Sequence, residues 1–496
     1  MPNNITKYLH EEMDKQAGIE HSFHRTKIVA TVGPACDTYE MLLALVKAGV
    51  NVFRLNFSHG SHEDKLSIIN HIRRINTEEP YNICILGDLQ GPKLRVGEIE
   101  NGSMPLQEGD ILTFTNEKCV GTKEKIYVSY PNLANDVEIG NKILIDDGKL
   151  EVKVTEITAA GDVKVAVTMP GTLSSKKGVN LPDTKISLPA LTEKDLADLD
   201  FMIKQEVDWV ALSFVRKVDD LKILRDILNK HKSKCKVMAK IEMPEAISNL
   251  REIILESDGI MIARGDLGVE MPVEQIPLIQ KDIIRKCLHR GKPVIVATQM
   301  MESMMDRIKP NRSEATDVAN AVLEGADAVM LSGETAMGQH PVLVVQTMRK
   351  IILETEKKEY RFNREEDLKP QPHSPSFHSD AICYNACKIA RDVNADAVIA
   401  MTQSGYTAFV VSSYRPKSPL YIFTKEKSLV NQLSLSWGVR PFFYDEEENI
   451  DQIIFDQMQI LKSRGFLKPG DTVVNTGSLP VHLHLPTNLL KISKVE

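Results

Sequence analysis

Across the middle of the chain, short apolar runs alternate with segments whose apolar residues recur every three or four positions. The first kind predicts buried strands and the second predicts amphipathic helices. Strands are expected at KIVATVG (27–33), NVFRLNFS (51–58), NICILGDL (82–89), DWVALSFV (208–215), KVMAKIE (236–242), DGIMIARGD (258–266), KPVIVATQ (292–299) and DAVMLSGE (327–334). Helical patterns lie between them, as in TYEMLLALVKAG, HEDKLSIINHIRRI, VDDLKILRDILNKH and NRSEATDVANAVLEGA. Several end at a glycine just before the next strand, where a C-cap is expected. Eight strands in series with helices between them predict an α/β chain folded as a closed (β/α)8 TIM barrel. An open doubly wound sheet is the alternative arrangement.

The rhythm breaks once. Between the third strand and the helix TEKDLADLDFMIKQ lie DILTFTN, KIYVSY, KILIDDGKLEVKVTEI, DVKVAVTMPG and GVNLP, short strands joined by turns. They predict a small β-barrel domain over 91–188, inserted on a βα loop at the end of the barrel where sites are built, and placed to act as a lid. The catalytic barrel then takes 25–90 and 189–359, after an N-terminal segment 1–24. A polar stretch bearing prolines, RFNREEDLKPQPHSPSFHSD, reads as a linker. Helix and strand patterns resume in ICYNACKIARDVNADAVIAMTQSG, SPLYIFTKEKSLVNQLS and DTVVNTGS, giving a C-terminal α/β domain over 360–496. A chain of 496 residues is long for one core, and this division matches its length.

Composition narrows the partners. With 42% hydrophobic and 26% charged residues the chain has ample apolar area for its cores. The net charge of −7 argues against a nucleic-acid or anionic-membrane surface, so any phosphate site must be a local basic pocket. The polar N-terminus lacks an apolar signal region, and no apolar run is long enough to span a bilayer; a cytoplasmic protein is expected. Seven scattered cysteines with no CxxC pair argue for buried free thiols rather than a structural zinc or a disulfide framework.

Polar and charged residues recur at the last positions of nearly every strand. They are Arg54, Asn56 and Ser58; Asp88; Ser213; Lys240 and Glu242; Arg264 and Asp266; Thr298 and Gln299; Ser332 and Glu334. In a barrel those ends converge on one mouth, so the pattern marks a site. Glu242 and Asp266 are hard oxygen donors on neighbouring strands, suited to Mg²⁺ or Mn²⁺ completed by substrate oxygens. Arg54, Arg95 and Lys240 bring positive charge, as phosphate handling requires. Gly265 and Asp266 fall where a strand turns into a helix, so backbone N–H groups there can meet a carboxylate. The charge balance points to an anionic substrate carrying phosphate and carboxylate.

At these residues the chain resembles the pyruvate kinase family, through TKIVATVGPA, VFRLNFSHGSHE, GPKLRVG, KKGVNLP, LSFVRK, MAKIE, MIARGDLGVE, VIVATQMMESM, PNRSEATDVANAVLEGADAVMLSGETA and YRPKSPL, in the family's order. The resemblance implies reversible phosphoryl transfer from phosphoenolpyruvate to ADP, giving pyruvate and ATP. It implies that Arg54 and Lys240 contact the phosphoryl group, that Glu242 and Asp266 hold the divalent metal, and that Gly265, Asp266 and Thr298 frame the substrate carboxylate. Thr298 and Ser332 would lie near the route by which enolpyruvate gains its proton. Asn56, Arg95 and the lid residue Lys177 would meet the nucleotide phosphates, with the Asp146-Asp147-Gly148 turn swinging inward on closure. A homotetramer is the family's implied assembly.

Two departures matter. Many relatives need K⁺ around the positions of Asn56, Ser58, Asp88 and Leu89, and carry glutamate where this chain has Lys93. They also have Thr, Lys and Thr where it has Leu89, Gln90 and Val96. The DLQGPKLRV version resembles the K⁺-independent branch, in which the lysine ammonium stands in for the cation. In the C-terminal domain, Thr402, Ser404, Gly405 and Thr407 can hold a phosphorylated effector through hydroxyls and backbone N–H groups. The late loop TGSLPVHLHLPTN, with His482 and His484, argues against a sugar bisphosphate and leaves a monophosphate effector or none. Met337 replaces a lysine common in relatives, with no consequence drawn. The rival readings are a barrel lyase or aldolase acting without a nucleotide, and a catalytically inactive metabolite-sensing homologue.

Overall fold

The computed structural model describes residues 23–182, 184–358, 362–364, 368–372, 374–446, 448–479 and 485–496. His482 and His484 lie outside the described residues, as does the chain before Phe23.

All eight expected strands form, and they close. Their spans are Lys27–Thr31, Val52–Asn56, Cys84–Asp88, Trp209–Leu212, Lys236–Ile241, Gly259–Ala263, Val294–Ala297 and Ala328–Leu331. Each pairs in parallel with its neighbours, and the first returns to pair with the eighth, so the open-sheet alternative is excluded. Most positions in these strands are fully buried, as expected where helices cover the outer face and side chains fill the inside. Val29, Leu86, Trp209, Met238, Met261 and Ile295 belong to one inner cluster. The strands are shorter than the sequence suggests. Arg54, Asn56, Asp88 and Lys240 remain in the ladder, whereas Ser58, Ser213, Glu242, Arg264, Asp266, Thr298, Gln299, Ser332 and Glu334 stand on the loops or helix starts that follow.

Two kinds of signal fix the helices. Ser61 with Asp64, Thr192 with Asp195, and Asn311 with Glu314 form capping boxes at helix starts. Gly49 (φ 131°) and Gly325 (φ 103°) end helices in backbone conformations that favour glycine.

The base of the barrel carries a repeating device. The residue just before every even-numbered strand caps an N–H at the start of the strand preceding it. Asn51 accepts from Ile28 (3.0 Å), Asp208 from Ile85 (2.7 Å), Asp258 from Val237 (2.8 Å) and Asp327 from Val294 (3.0 Å). Each satisfies a backbone donor that the ladder leaves open at the strand's edge.

The insertion forms a six-stranded sheet and a two-stranded one around its own core, which includes Leu112, Phe114, Ile143, Val152 and Val165. The two-stranded sheet, Ser103–Leu106 with Gly171–Ser174, was not expected from the sequence. The C-terminal domain is a five-stranded sheet, parallel except for its last strand, Leu489–Lys494. Its helix Phe377–Asp392 starts inside the expected linker, and Val439–Phe443, Ile450–Ser463 and Leu489–Lys494 are further elements beyond those expected from the sequence. This domain covers the barrel base. Lys27 Nζ donates to Val439 O (3.0 Å), Trp209 Nε1 to Gln432 O (3.2 Å), and Arg415 pairs with Asp327 (3.0 Å).

Candidate active site

At the mouth, the second, third and fifth strands bring three charges into one line. Arg54 Nε donates to Asp88 Oδ2 (2.6 Å), and Arg54 Nη1 donates to the Thr31 hydroxyl (3.0 Å). Asp88 Oδ1 stands 3.3 Å from Lys240 Nζ, which lies 2.9 Å from Glu242 Oε1. Asp88 therefore bridges both cations of the expected phosphoryl clamp, a more central place than the cation-site fringe given to it from sequence. Lys240 also donates to Ser213 Oγ (2.8 Å), whose hydroxyl in turn donates to Leu89 O (2.7 Å).

Burial works against the charge on Lys240, but Asp88 and Glu242 more than offset it and hold its pKa above the ordinary lysine value. Asp88 is driven the other way: burial raises its pKa, yet Lys240 and Arg54 prevail and keep it below the usual carboxylate range. Both groups are thus ionised at neutral pH.

Glu242 is buried and accepts the Phe214 N–H at Oε2 (2.7 Å). Its pKa is raised, first by burial and further by the charge of Asp266, although Lys240 pulls it down. Asp266 is more open, with Lys93 Nζ 3.9 Å from its Oδ1. Two mutually repelling oxygen donors at one mouth fit a divalent cation. Among the described residues no group of three or more His, Cys, Asp or Glu could hold a metal ion, so a metal here would take its remaining ligands from substrate and water, as Mg²⁺ does.

Thr298 and Gln299 follow the seventh strand with φ of 70° and 54°, an uncommon region for a β-branched residue and one that clusters at functional sites. This turn aims the Thr298 hydroxyl at the helix Arg264–Glu270, where it accepts the Gly265 N–H (2.7 Å). A carboxylate arriving at Gly265 would take the hydroxyl's place. Two members of the polar ring turn away from the mouth. Arg264 clamps Asp317 on a neighbouring helix through both terminal nitrogens (2.7 and 2.6 Å), and Glu334 caps Met301 N (3.1 Å) and Ser332 N (2.7 Å).

The lid faces the same mouth. Arg95 Nη1 donates to Lys176 O (3.0 Å), and Lys177 Nζ pairs with Asp146 (2.9 Å). Asp146, Asp147 and Gly148 all have positive φ (54°, 56° and 83°), and a Cβ at Gly148 would stand 4.0 Å from Val269 of the barrel. Asn180 reaches Glu270 (2.7 Å). On the barrel side, Asn56 Oδ1 accepts the Ser58 N–H (3.0 Å). Exposed His59 was given no role from sequence, although it sits in the quoted HGSH stretch. Its pKa is lowered by partial burial and by Arg95, Lys65, Lys93 and Arg54, which marks a cationic side beside the line of strand-end charges.

A cavity of about 1250 Å³ lies elsewhere, in the C-terminal domain. It brings together Thr402, Ser404 and Thr407 with Lys425 and Thr487. Thr402 Oγ1 accepts the Gly405 N–H (3.1 Å), and the Thr407 and Thr487 hydroxyls are 2.6 Å apart.

Comparison with known proteins agrees with this architecture. Residues 23–345 match the family described as pyruvate kinase, barrel domain, and residues 380–493 match pyruvate kinase, alpha/beta domain. A pyruvate kinase from Geobacillus stearothermophilus is 43% identical over 471 residues, covering 94% of this chain and 80% of the relative. One from Staphylococcus epidermidis is 42% identical over 473 residues, covering 95% and 80%. The crystal structure of a pyruvate kinase from Cryptosporidium parvum superposes with a TM-score of 0.89 at 36% identity, covering 95% of this chain and 96% of that one.

Proposed function

The chain belongs to the pyruvate kinase family, and from that premise we propose that it moves the phosphoryl group of phosphoenolpyruvate to ADP with Mg²⁺ or Mn²⁺ and without K⁺. The observation that carries the mechanism is the buried line Arg54–Asp88–Lys240–Glu242. Its cations are held in place before substrate arrives, so little reorganisation is needed when charge builds on the transferring group.

Phosphoryl transfer asks the protein chiefly to position and neutralise. Lys240, kept charged by its two carboxylates, serves as an electrostatic clamp on the equatorial oxygens and not as a proton donor. Arg54 grips the same group from the opposite side of Asp88. A divalent ion held by Glu242 and Asp266 would supply Lewis-acid neutralisation of phosphate and enolate oxygens. Gly265, Asp266 and Thr298 orient the substrate carboxylate. Thr298 and Ser332, hydroxyls at the ends of the seventh and eighth strands, line the route of the proton that converts enolpyruvate to pyruvate. Asn56 and Arg95, with Lys177 released from Asp146, receive the nucleotide phosphates as the lid closes and excludes water.

Lys93 supports independence from K⁺. Its ammonium reaches the metal side of the mouth and adds to the field at His59, where a glutamate would add negative charge and call for a monovalent cation. Three further features belong to the proposal. Membership of the family carries the expectation of a homotetramer. The hydroxyl-lined cavity around Thr402 and Thr407 suits a phosphorylated effector. Free cysteines, with no described helix long and apolar enough to cross a membrane, accord with a cytoplasmic setting. The intact line of charges weighs against an inactive metabolite sensor.

The test is a coupled assay with Mg²⁺ and tetramethylammonium as the only monovalent cation. ADP-dependent consumption of phosphoenolpyruvate at full rate is expected. A rate that collapses without K⁺ refutes the cation reading alone, and no ADP-dependent turnover under any cation refutes the whole.

A further inference from the structure

Both connections between lid and barrel end on one carboxylate. Asp195 lies in the first turn of the helix Glu193–Lys204 and is fully buried. Its Oδ1 accepts the N–H of Gly91 (3.0 Å), where the chain leaves the barrel. Its Oδ2 accepts the N–H (2.9 Å) and the hydroxyl (2.6 Å) of Thr192, where the chain has come back. The bonds to Thr192 belong to a capping box and would be made by any such helix. The bond to Gly91 would not: that residue is 104 positions away in the chain.

Gly91 also touches the residues that orient the chemistry. Its φ is +69°, and a Cβ there would lie 2.9 Å from Phe214 Cδ2 and 3.0 Å from Ser213 Cβ. Ser213 Oγ accepts from Lys240 Nζ (2.8 Å), and Phe214 N donates to Glu242 Oε2 (2.7 Å). Two residues further on, Arg216 donates to Leu188 O (2.5 Å) and to Ile186 O on the returning side of the lid. The segment 213–216 is therefore touched by both lid connections while it sets the positions of Lys240 and Glu242.

We propose that Asp195 is a positioning residue for phosphoryl transfer. It is the fixed end of the lid hinge, holding Gly91 against Ser213 and Phe214 so that Lys240 and Glu242 keep their places while the lid moves over the nucleotide. Asp195 touches no substrate in this role. A carboxylate is required because three donors converge on it from two connections, and an amide would turn an NH₂ toward one of them. The proposal rests on the phosphoryl-transfer reading above.

Asp195→Asn in the full chain tests it. With Mg²⁺ present, and ADP and phosphoenolpyruvate varied separately, kcat is expected to fall about ten-fold and KM for ADP to rise several-fold, because small misplacements of reacting groups are costly. KM for phosphoenolpyruvate and the thermal midpoint should move little. If kcat and KM for ADP equal the wild-type values, or if the lost rate equals the lost folded fraction with both KM values unchanged, Asp195 is only a helix cap and the proposal falls. Should the variant not fold, hydrogen exchange on the wild-type protein decides. The Gly91 amide is expected to exchange as slowly as that of Leu89 with and without Mg²⁺ and ADP, while lid amides beyond Lys93 respond to them. A Gly91 amide that exchanges with the lid overturns the proposal. A wild-type protein that does not turn over phosphoenolpyruvate with ADP would count against the functional reading instead, and the exchange experiment reads the hinge independently of it.

Discussion

At the base of the barrel, Asp327 has both oxygens committed: Trp437 N reaches Oδ1 (3.1 Å), while Val294 N (3.0 Å) and the Arg415 guanidinium (3.0 Å) reach Oδ2. Glu356 is used up in the same way by the N–H groups of Arg25 (3.0 Å) and Thr26 (2.7 Å). At the mouth, buried charges meet mainly each other, through the long side chains of Arg54 and Lys240. Both ends bury ions at similar depth, so burial and pairing do not tell a site from a scaffold. The kind of partner does. Backbone N–H groups cannot leave, and they lock a carboxylate into the fold. Side-chain partners at a mouth can exchange one contact for a substrate oxygen at small cost.

The strongest way to break this contrast is to remove Lys240. Lys240→Met should lower turnover by about 10³-fold, the scale on which a preorganised donor to a developing anion contributes. A coupled assay that shows unchanged turnover would end the assignment of the mouth as the reacting site. The matching change at the base is Asp327→Asn. It strips the buried Arg415 of its counter-charge and should cost about 3 kcal/mol of stability, read from denaturant melts, while both KM values stay near wild type. Loss of turnover without loss of stability would show that the base, too, takes part in the reaction.

A smaller effect sharpens the description of the mouth. Lys93→Glu restores the residue type of K⁺-requiring relatives. Its activity should become about ten-fold higher with K⁺ than with tetramethylammonium, since two units of charge have changed beside anionic substrates. The wild-type protein should show no such ratio. Equal dependence in both proteins would remove Lys93 from the argument.

Much of the mouth was legible in the sequence because barrel strands are short and end together. Once NVFRLN, MAKIE and MIARGD are read as strands, Arg54, Lys240, Glu242 and Asp266 must converge. What could not be read is where a side chain turns after its strand ends. Arg264 and Glu334 share the pattern of the site residues, but local geometry gives one an aspartate on the helix Arg312–Glu324 and the other two backbone N–H groups. The bridging place of Asp88 depends on two cations from different strands meeting across it, which spacing does not encode. In the C-terminal domain, VRPFF carries an arginine and a proline where an alternating strand would be sought, yet it pairs along its whole length with Leu420–Thr424. The four Asx caps at the base lay in plain view as the first letters of NVFRLNFS, DWVALSFV, DGIMIARGD and DAVMLSGE. Only the structure shows that they point back to the preceding strand.

One of those caps refines the contrast from within the base. Asp208 accepts the Ile85 N–H (2.7 Å) but has no ion pair among the described residues. Burial pushes its pKa up to about 7, against the pull of that N–H and of the more distant Arg73. A carboxyl whose folded pKa lies above its unfolded value, about 3.9, holds its proton more tightly in the folded state. Its contribution is full below the unfolded pKa and is lost as pH rises through about 7. Asp208→Asn keeps an acceptor for Ile85 and cannot ionise. The variant should therefore gain on the wild-type protein as pH rises from about 5 to about 8, by on the order of 3 kcal/mol, measured as the difference between urea melts at each pH. If the Asp208 difference does not change with pH, an unpaired cap is as well satisfied as a paired one, and the base is more uniform than its hydrogen bonds suggest.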